Sequence, residues 1–408
     1  MADDDNFAKH VREGKGICFI THCYPSRTGP LACHFVESLA EALGRSGFRV
    51  TVVTPRIFVE DPLFEMRGSV RIYRHRFFTA NQYLKYYKRI PVFRMLTYFV
   101  GALWTGLTVI RHDHCMLIHA HWILPSGLVA LILARLTGLP YVVTARGSDV
   151  SVYPLKSWVL RRLGRHVLRQ AKCIIARSDN LKREMVEMFR IDADQIQVVR
   201  SGVNLAMFRP LDKQAARAKL GVSDEKDIVL FVGDLSPIKG VQCLIEALPA
   251  VVHSKPDVLC VLVGDGSMRG PLERRIEQLK LENHVYLVGS QLHERIPLWM
   301  NAADILVVPS LSEGVPNVVV EALACHLPVV ATKVGDIPNL VSHMENGLSI
   351  DNADPECISS ALSLLLGEDR RLYDRVKRGC MTRLPPDSVD FEAEQNIAIY
   401  RHLLQQGR

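Results

Sequence analysis

Short apolar runs alternate with helical stretches along the whole chain. In the first half GICFIT (16–21), RVTVVT (49–54), MLIHA (116–120), YVVTA (141–145) and CIIA (173–176) are mostly apolar and rich in Val and Ile. Runs of this length without strict polar alternation predict strands buried on both faces, as in a parallel sheet. Helices fall between them, for example over 35–44 and 125–137, the second stopped by Gly138-Leu139-Pro140. The second half repeats the pattern with IVLFV (228–232), VLCVLV (258–263), VYLV (285–288), ILVV (305–308) and VVA (329–331). Strand and helix alternating twice over predict two doubly wound α/β domains, each with a mostly parallel sheet. The charged stretch 211–227, poor in β-formers, reads as the crossing between them. In such sheets ligands sit beyond the carboxyl ends of the strands, so the residues just after each strand carry the chemistry, and a cleft between two domains is the default site.

Composition narrows the class. The 408 residues are 48% hydrophobic and 23% charged, globular in type and too long for one compact core. The formal net charge of +7 is unevenly spread: residues 1–209 hold 30 Lys+Arg against 16 Asp+Glu, net +14, and residues 210–408 hold 20 against 27, net −7. A basic half implies an anionic surface or ligand, nucleic acid or membrane phosphate. The longest apolar run, 96–110, spans 15 residues and ends at Arg111, short of the roughly 18 needed to cross a bilayer, so a soluble or peripheral protein is expected. The acidic start MADDDNFAKH carries no apolar export region, which points to the cytoplasm. The ten cysteines are scattered with no C-x-x-C pair, so free, mostly buried thiols in a reducing compartment and no structural zinc are expected.

Three loops stand out. After IVLFV comes Gly233-Asp234-Leu235-Ser236-Pro237-Ile238-Lys239-Gly240 and then a helix over 241–248. This is either a phosphate site, built from helix-terminal N–H groups and the Lys239 charge, or an ordinary turn with a solvated lysine. The turn Gly264-Asp265-Gly266-Ser267-Met268-Arg269-Gly270 imitates a dinucleotide fingerprint, but its last spacing is wrong and no acidic residue ends a strand ~20 residues on; close strand–helix packing is the better account. The stretch from Pro309 through Glu313-Gly314-Val315-Pro316-Asn317 to Glu321 follows a strand and enters a helix. Two carboxylates eight residues apart, one in the loop and one on the helix, can bind separate hydroxyls of one polyhydroxylated ligand while helix-terminal N–H groups meet its phosphate. Asp192-Ala193-Asp194 spells a metal-binding Asp-x-Asp, but it lies between a helix and a strand and reads as a solvated turn.

These residues resemble a family. Glu313 and Glu321 within EGVPNVVVEALAC look like the donor-sugar motif of the glycosyltransferase family 4 enzymes of GT-B fold. GDLSPIKG resembles that family's diphosphate loop, VRSGVNLAMFRP (199–210) its interdomain signature and PVVATKVGDIPNL (328–340) its gate segment. Tyr24-Pro25-Ser26 through Gly29 resemble its first glycine loop. His119-Ala120-His121-Trp122 and Arg146-Gly147-Ser148-Asp149-Val150 resemble its acceptor-domain motifs. Within the family the chain is most similar to bacterial exopolysaccharide and teichuronic-acid type transferases.

The resemblance implies two Rossmann-like domains facing across a cleft: residues 1–208 for the acceptor, 209–385 for the nucleotide-sugar, and a C-terminal helix in 386–408 returning to the first. It implies retaining, metal-independent transfer, with no cofactor, from a nucleotide-diphosphate-sugar, UDP-linked by expectation, to a lipid-linked or polysaccharide acceptor in bacterial surface polysaccharide assembly. Glu321 would bind ribose hydroxyls and Glu313 sugar hydroxyls. Lys239 would neutralise the departing diphosphate beside Gly233, Gly314, Val315, Pro316 and Asn317 would line the donor, and Gly29 would approach the diphosphate from the first domain. His121 and Arg146 complete the catalytic set. The chain departs from the family pattern in three places: Asp234 stands where arginine is usual, one glycine (Gly29) where two are common, and Arg146 where many members have histidine. A GT-B epimerase, a nicotinamide-dependent dehydrogenase and an inactive sugar-nucleotide-binding module are the alternatives.

The basic half also holds Tyr83-Leu84-Lys85-Tyr86-Tyr87-Lys88-Arg89, which interleaves aromatics with cations, and the apolar run 96–110 follows. With no nucleic-acid module in view, residues 83–110 are expected to lie on an anionic membrane surface, peripheral on the cytoplasmic face.

Overall fold

The computed structural model describes residues 16–26, 33–78, 92–151, 157–382 and 387–406. It divides into two compact units, Met1–Gly202 with Val389–Arg408, and Val203–Ser388. Each unit is built on one twisted sheet of Rossmann type.

In the first unit the strands are β1 (Gly16–Ile20), β2 (Arg49–Pro55), β3 (Phe64–Arg67), β4 (Val70–His75), β5 (Cys115–His121), β6 (Tyr141–Thr144), β7 (Cys173–Ala176) and β8 (Ile196–Val198). Their order is β3-β4-β2-β1-β5-β6-β7-β8. All pairings are parallel except β3 with β4. The central strands are buried along their whole length, which is why they read as continuous apolar runs. Helices His34–Arg45, Val92–His112, Ser126–Thr137, Trp158–Gln170 and Asp179–Phe189 cover the faces. The C-terminal helix Val389–Gln406 packs on His34–Arg45. It is locked by a buried ion pair, Arg177 Nη1 to Glu392 Oε1 at 2.7 Å.

In the second unit β9 (Asp227–Val232), β10 (Val258–Val263), β11 (Val285–Gly289), β12 (Ile305–Val308), β13 (Val329–Thr332) and β14 (Gly347–Ile350) are ordered β11-β10-β9-β12-β13-β14, all parallel. Strand order reverses between β1 and β5 in one sheet and between β9 and β12 in the other. Those are the crevices where such sheets bind ligands.

Three expectations are corrected. The stretch expected to be a crossing contains a helix, Lys213–Leu220, capped by Asp212 and closed by Gly221. Its Arg217 is buried, donating to Asp304 Oδ2 at 2.9 Å and to the Ala302 carbonyl, so this segment is part of the second unit; its charge serves an internal ion pair. The cysteines are not all free: Cys23 and Cys33 form a disulfide, and the other eight are thiols. Cys23 follows the carboxyl end of the central strand β1 and Cys33 precedes the next helix, a proximity that sequence spacing does not reveal. Finally, the apolar run 96–110 sits within a helix whose segment Phe93–His112, 20 residues, is long and apolar enough to cross a membrane by length and composition. One face of it, with Tyr98, Ala102 and Val109, is buried, and the helix packs on β2 and β4. Phe93, Leu96, Val100 and Trp104 on the other face are exposed.

Candidate active site

The second unit gathers its predicted residues where β9 and β12 diverge. The loop after β9 and the loop after β12 are stitched together by Leu311 N donating to the Ile238 carbonyl at 2.8 Å. Gly240, at φ 64°, permits the approach: a Cβ there would lie 1.8 Å from the Pro309 carbonyl oxygen, a clash no side chain survives. This seam brings Lys239 Nζ to 2.6 Å from Glu313 Oε1. Ser310 Oγ donates to the same oxygen at 2.8 Å, and Thr332 Oγ1 fixes Ser310 by donating to its carbonyl at 2.6 Å. The Glu313 side chain is 9% exposed and that of Lys239 31%, so the carboxylate is held rigidly while the ammonium retains access to solvent.

Glu321 lies on helix Asn317–Ala324, whose start at Pro316 carries no side-chain cap. Val319 N donates to the Pro316 carbonyl at 3.0 Å, and the N–H groups of Asn317 and Val318 begin the helix with no acceptor inside it. Asp336 N donates to the Gly314 carbonyl at 3.0 Å, tying the gate-like segment to the donor-like loop. Glu321 Oε1 is 3.1 Å from His293 Nε2, and the His293 ring packs against Phe208 at 5.1 Å between centroids. The structure thus joins Lys239 with Glu313, and gives Glu321 a histidine partner. Gly233 follows β9 directly, and Asp234 is half-buried beside it. The turn 264–270 is packing, as expected: Gly264, at φ 148°, would push a Cβ to 1.8 Å from the Gly233 carbonyl oxygen, and Met268 N donates to the Leu235 carbonyl at 2.8 Å.

The first unit places His121 and Arg146 at the ends of adjacent strands β5 and β6. Arg146 Nη2 donates to His121 Nδ1 at 2.8 Å. A ring nitrogen accepting from guanidinium carries no proton, so the imidazole is the neutral Nε2–H tautomer. Burial, reinforced by His119, Arg146 and Arg177, holds the His121 pKa well below its ordinary value. Burial, with Arg177 next, pushes the Arg146 guanidinium down to about 9, still charged at neutral pH. Arg146 stacks over the Phe35 ring at 4.5 Å. Its loop is fixed by Asp149, which accepts from the N–H groups of Ile123, Arg146 and Gly147 at 2.8, 2.9 and 2.9 Å. His121 Nε2 is buried and has no hydrogen-bond partner among the described residues.

Several contributors lie outside the candidate set read from the sequence. His119 stacks on His121 at 4.4 Å. Its Nδ1 is 2.6 Å from the Tyr400 hydroxyl and its Nε2 2.7 Å from Thr144 Oγ1. Tyr400 lies 281 residues from His119, and Glu392, which holds Arg177, comes from the same terminal helix. His119 falls within the quoted motif and His293 closes a loop adjoining the donor strands, so those two were findable; Tyr400, Glu392 and Phe208 were not. Gly29 lies outside the described residues.

Comparison with known proteins adds an independent line. The description "Glycosyl transferases group 1" matches residues 212–379, and "Glycosyl transferase 4-like domain" matches residues 34–202. The chain is 29% identical to the teichuronic acid biosynthesis glycosyltransferase TuaC of Bacillus subtilis (strain 168), over 79% of this chain and 82% of TuaC. It is 31% identical to a D-inositol 3-phosphate glycosyltransferase of Segniliparus rotundus, over 73% of this chain and 68% of that protein. The fold superposes on HepE of Anabaena, solved in complex with UDP-glucose, with a TM-score of 0.72 at 21% identity, covering 95% of this chain and 99% of that one. The matches fall in both units and include a relative above 30% identity, and the two sheets are those of a GT-B protein: the chain belongs to the group 1 glycosyl transferases and is a glycosyltransferase.

Proposed function

We propose that the enzyme moves a sugar from a UDP-sugar to a lipid-linked or polysaccharide acceptor of bacterial surface-polysaccharide assembly, with retention and without a metal ion. The observation that carries this is the Lys239–Glu313–Ser310 cluster set at the strand-order reversal, with Glu321 on the next helix. As the donor bond breaks, negative charge accumulates on the diphosphate. Lys239 and the uncapped N–H groups at Asn317 are preorganised donors for it, and such groups stabilise the transition state more than the ground state. Glu313 and Glu321 take hydroxyls of the sugar and the ribose. HepE, of the same fold, holds UDP-glucose, which supports uridine as the base. In the first unit, Arg146 fixes His121 as the neutral Nε2–H tautomer.

The acceptor assignment draws support from TuaC and from the first unit's surface. Phe93, Leu96, Val100 and Trp104 repeat at helical spacing on an exposed face, in a half of the chain with net +14. An apolar stripe on a basic background suits peripheral docking on anionic lipid; residues 83–91 of the expected contact lie outside the described residues. Isothermal titration across sugar nucleotides, followed by release of UDP with acceptor present, tests the transfer reading. Binding of UDP-sugars that fails to weaken in Glu321→Ala would sink the site assignment. Flotation with phosphatidylglycerol vesicles, lost in Leu96→Ser/Trp104→Ser, tests the membrane reading.

A further inference from the structure

The first unit contains a second, separate concentration of cations. Helix Trp158–Gln170 and the end of helix Asp179–Phe189 border an open pocket of about 730 Å³, lined by Arg161, Arg162, Arg165 and Arg190, with Trp158 at its rim and Val150 in its wall. Two carboxylates, Glu184 and Glu187, line the same pocket. Yet none of the four arginines makes an ion pair among the described residues. Glu184 accepts instead from Asn180 Nδ2 at 3.1 Å, and burial together with Glu187 raises its pKa. Arg165 donates only to the Arg190 carbonyl, at 3.3 Å, and its Nε is buried with no partner. Guanidinium groups carry fixed donor forks matched to phosphate oxygens. Arg161, Arg162 and Arg190 are exposed, so three of the four forks are open to an incoming anion.

We propose that this pocket binds a diphosphate group, at a site separate from the Lys239 loop. Its volume and four cations exceed what one phosphate monoanion uses. The exposed indole of Trp158, 72% accessible, gives the attached organic part a flat face to lie on. Val150 belongs to the short helix Ser148–Ser151, whose Asp149 fixes the Arg146 loop, so the pocket borders the loop that carries Arg146. The natural source is the acceptor's own diphosphate, a clause that rests on the acceptor reading above; the anion site itself does not. The chemistry is shared by a free soluble diphosphate and by a membrane-held phosphate headgroup.

Isothermal titration of inorganic pyrophosphate separates this site from the donor loop. Binding should persist in Lys239→Ala and weaken about tenfold per arginine in Arg161→Gln/Arg165→Gln, the effect of losing one charge-assisted hydrogen bond of ~1.4 kcal/mol. Glu184→Gln/Glu187→Gln should tighten it several-fold, a gain that damage to folding does not produce, so the proposal stays testable if the arginine variant is unstable. Pyrophosphate binding that disappears wholly with Lys239→Ala, or that ignores the glutamate substitutions, overturns the proposal. Phosphatidylcholine vesicles doped with phosphatidic acid distinguish the sources. Pyrophosphate that displaces the protein from them identifies a lipid headgroup as occupant, and pyrophosphate that binds without displacing it identifies a soluble one. Failure of the UDP titrations with pyrophosphate binding intact would remove the donor assignment and leave this site standing.

Discussion

Glu313→Gln probes the central ion pair without changing its shape. Lys239 is bonded to Glu313 at 2.6 Å, so on the proposed reading an incoming diphosphate would compete with a carboxylate for the ammonium. At an effective dielectric of about 20, two charges ~4 Å apart attract by about 4 kcal/mol. Lys239 is a third exposed, and solvent screening brings the net pair to about 1 kcal/mol. The amide keeps an oxygen for Ser310 and Lys239 but withdraws the charge, so UDP should bind about fivefold more tightly. Turnover should fall all the same, because the amide is a weaker acceptor for the sugar hydroxyl. Lys239→Ala should do the opposite for binding and lower kcat by about a hundredfold, the ~3 kcal/mol typical of one preorganised donor to a developing anion. Titration calorimetry with UDP and a continuous UDP-release assay give both quantities. Equal UDP affinity in the wild type and both variants, with wild-type turnover in Lys239→Ala, would refute the assignment of the lysine to the diphosphate.

Three further outcomes follow from the first unit. Burial depresses the His75 pKa to about 4 from 6.5, so between those values the unfolded chain binds a proton that the folded chain does not. Stability is therefore complete above pH 6.5 and falls as the pH is lowered, by about 3 kcal/mol at pH 4, with His119 and His121 acting in the same direction; urea midpoints that do not drop from pH 7 to pH 5 would contradict this. Glu392→Ala strands a buried Arg177, 2% exposed, and should cost about 3–5 kcal/mol, seen in thermal melts as a transition lowered by roughly 2–4 °C per kcal/mol. Thiol titration of the denatured, unreduced protein should find the eight free cysteines, and ten after reduction.

Much of the fold was legible because both sheets are parallel and covered on each face. Strands such as β1 and β10 then become apolar runs with no face reserved for solvent. The pattern fails at the edges. Strands β3 and β4, FEMR and VRIYRH, are short and interrupted by charges, several of them buried in pairs such as Arg74 with Glu65, and β8 and β14 have three and four residues. The juxtaposition of Lys239 and Glu313 was legible for the same reason: both lie in loops that follow neighbouring strands, β9 and β12. The acceptor-side cluster was half legible. His121 and Arg146 end their strands, but Tyr400 and Glu392, which hold the neighbouring His119 and Arg177, arrive from the last helix, and nothing local couples residue 119 to residue 400.

The charge asymmetry between the two halves of the chain takes a different meaning at the level of side chains. Residues 210–408 carry net −7, an awkward background for a diphosphate. Each donor-site carboxylate, however, already has a partner within its own unit, Lys239 for Glu313 and His293 for Glu321. On the proposed reading donor entry would be an exchange: the lysine would turn from carboxylate to phosphate as the sugar hydroxyls take its place on Glu313. Under that exchange the affinity for UDP alone, which lacks the sugar, is held down by the unreplaced Lys239–Glu313 contact, whereas a UDP-sugar satisfies both groups. The enzyme should accordingly prefer UDP-sugar over UDP in the wild type, and that preference should shrink in Glu313→Gln, where the lysine is already released.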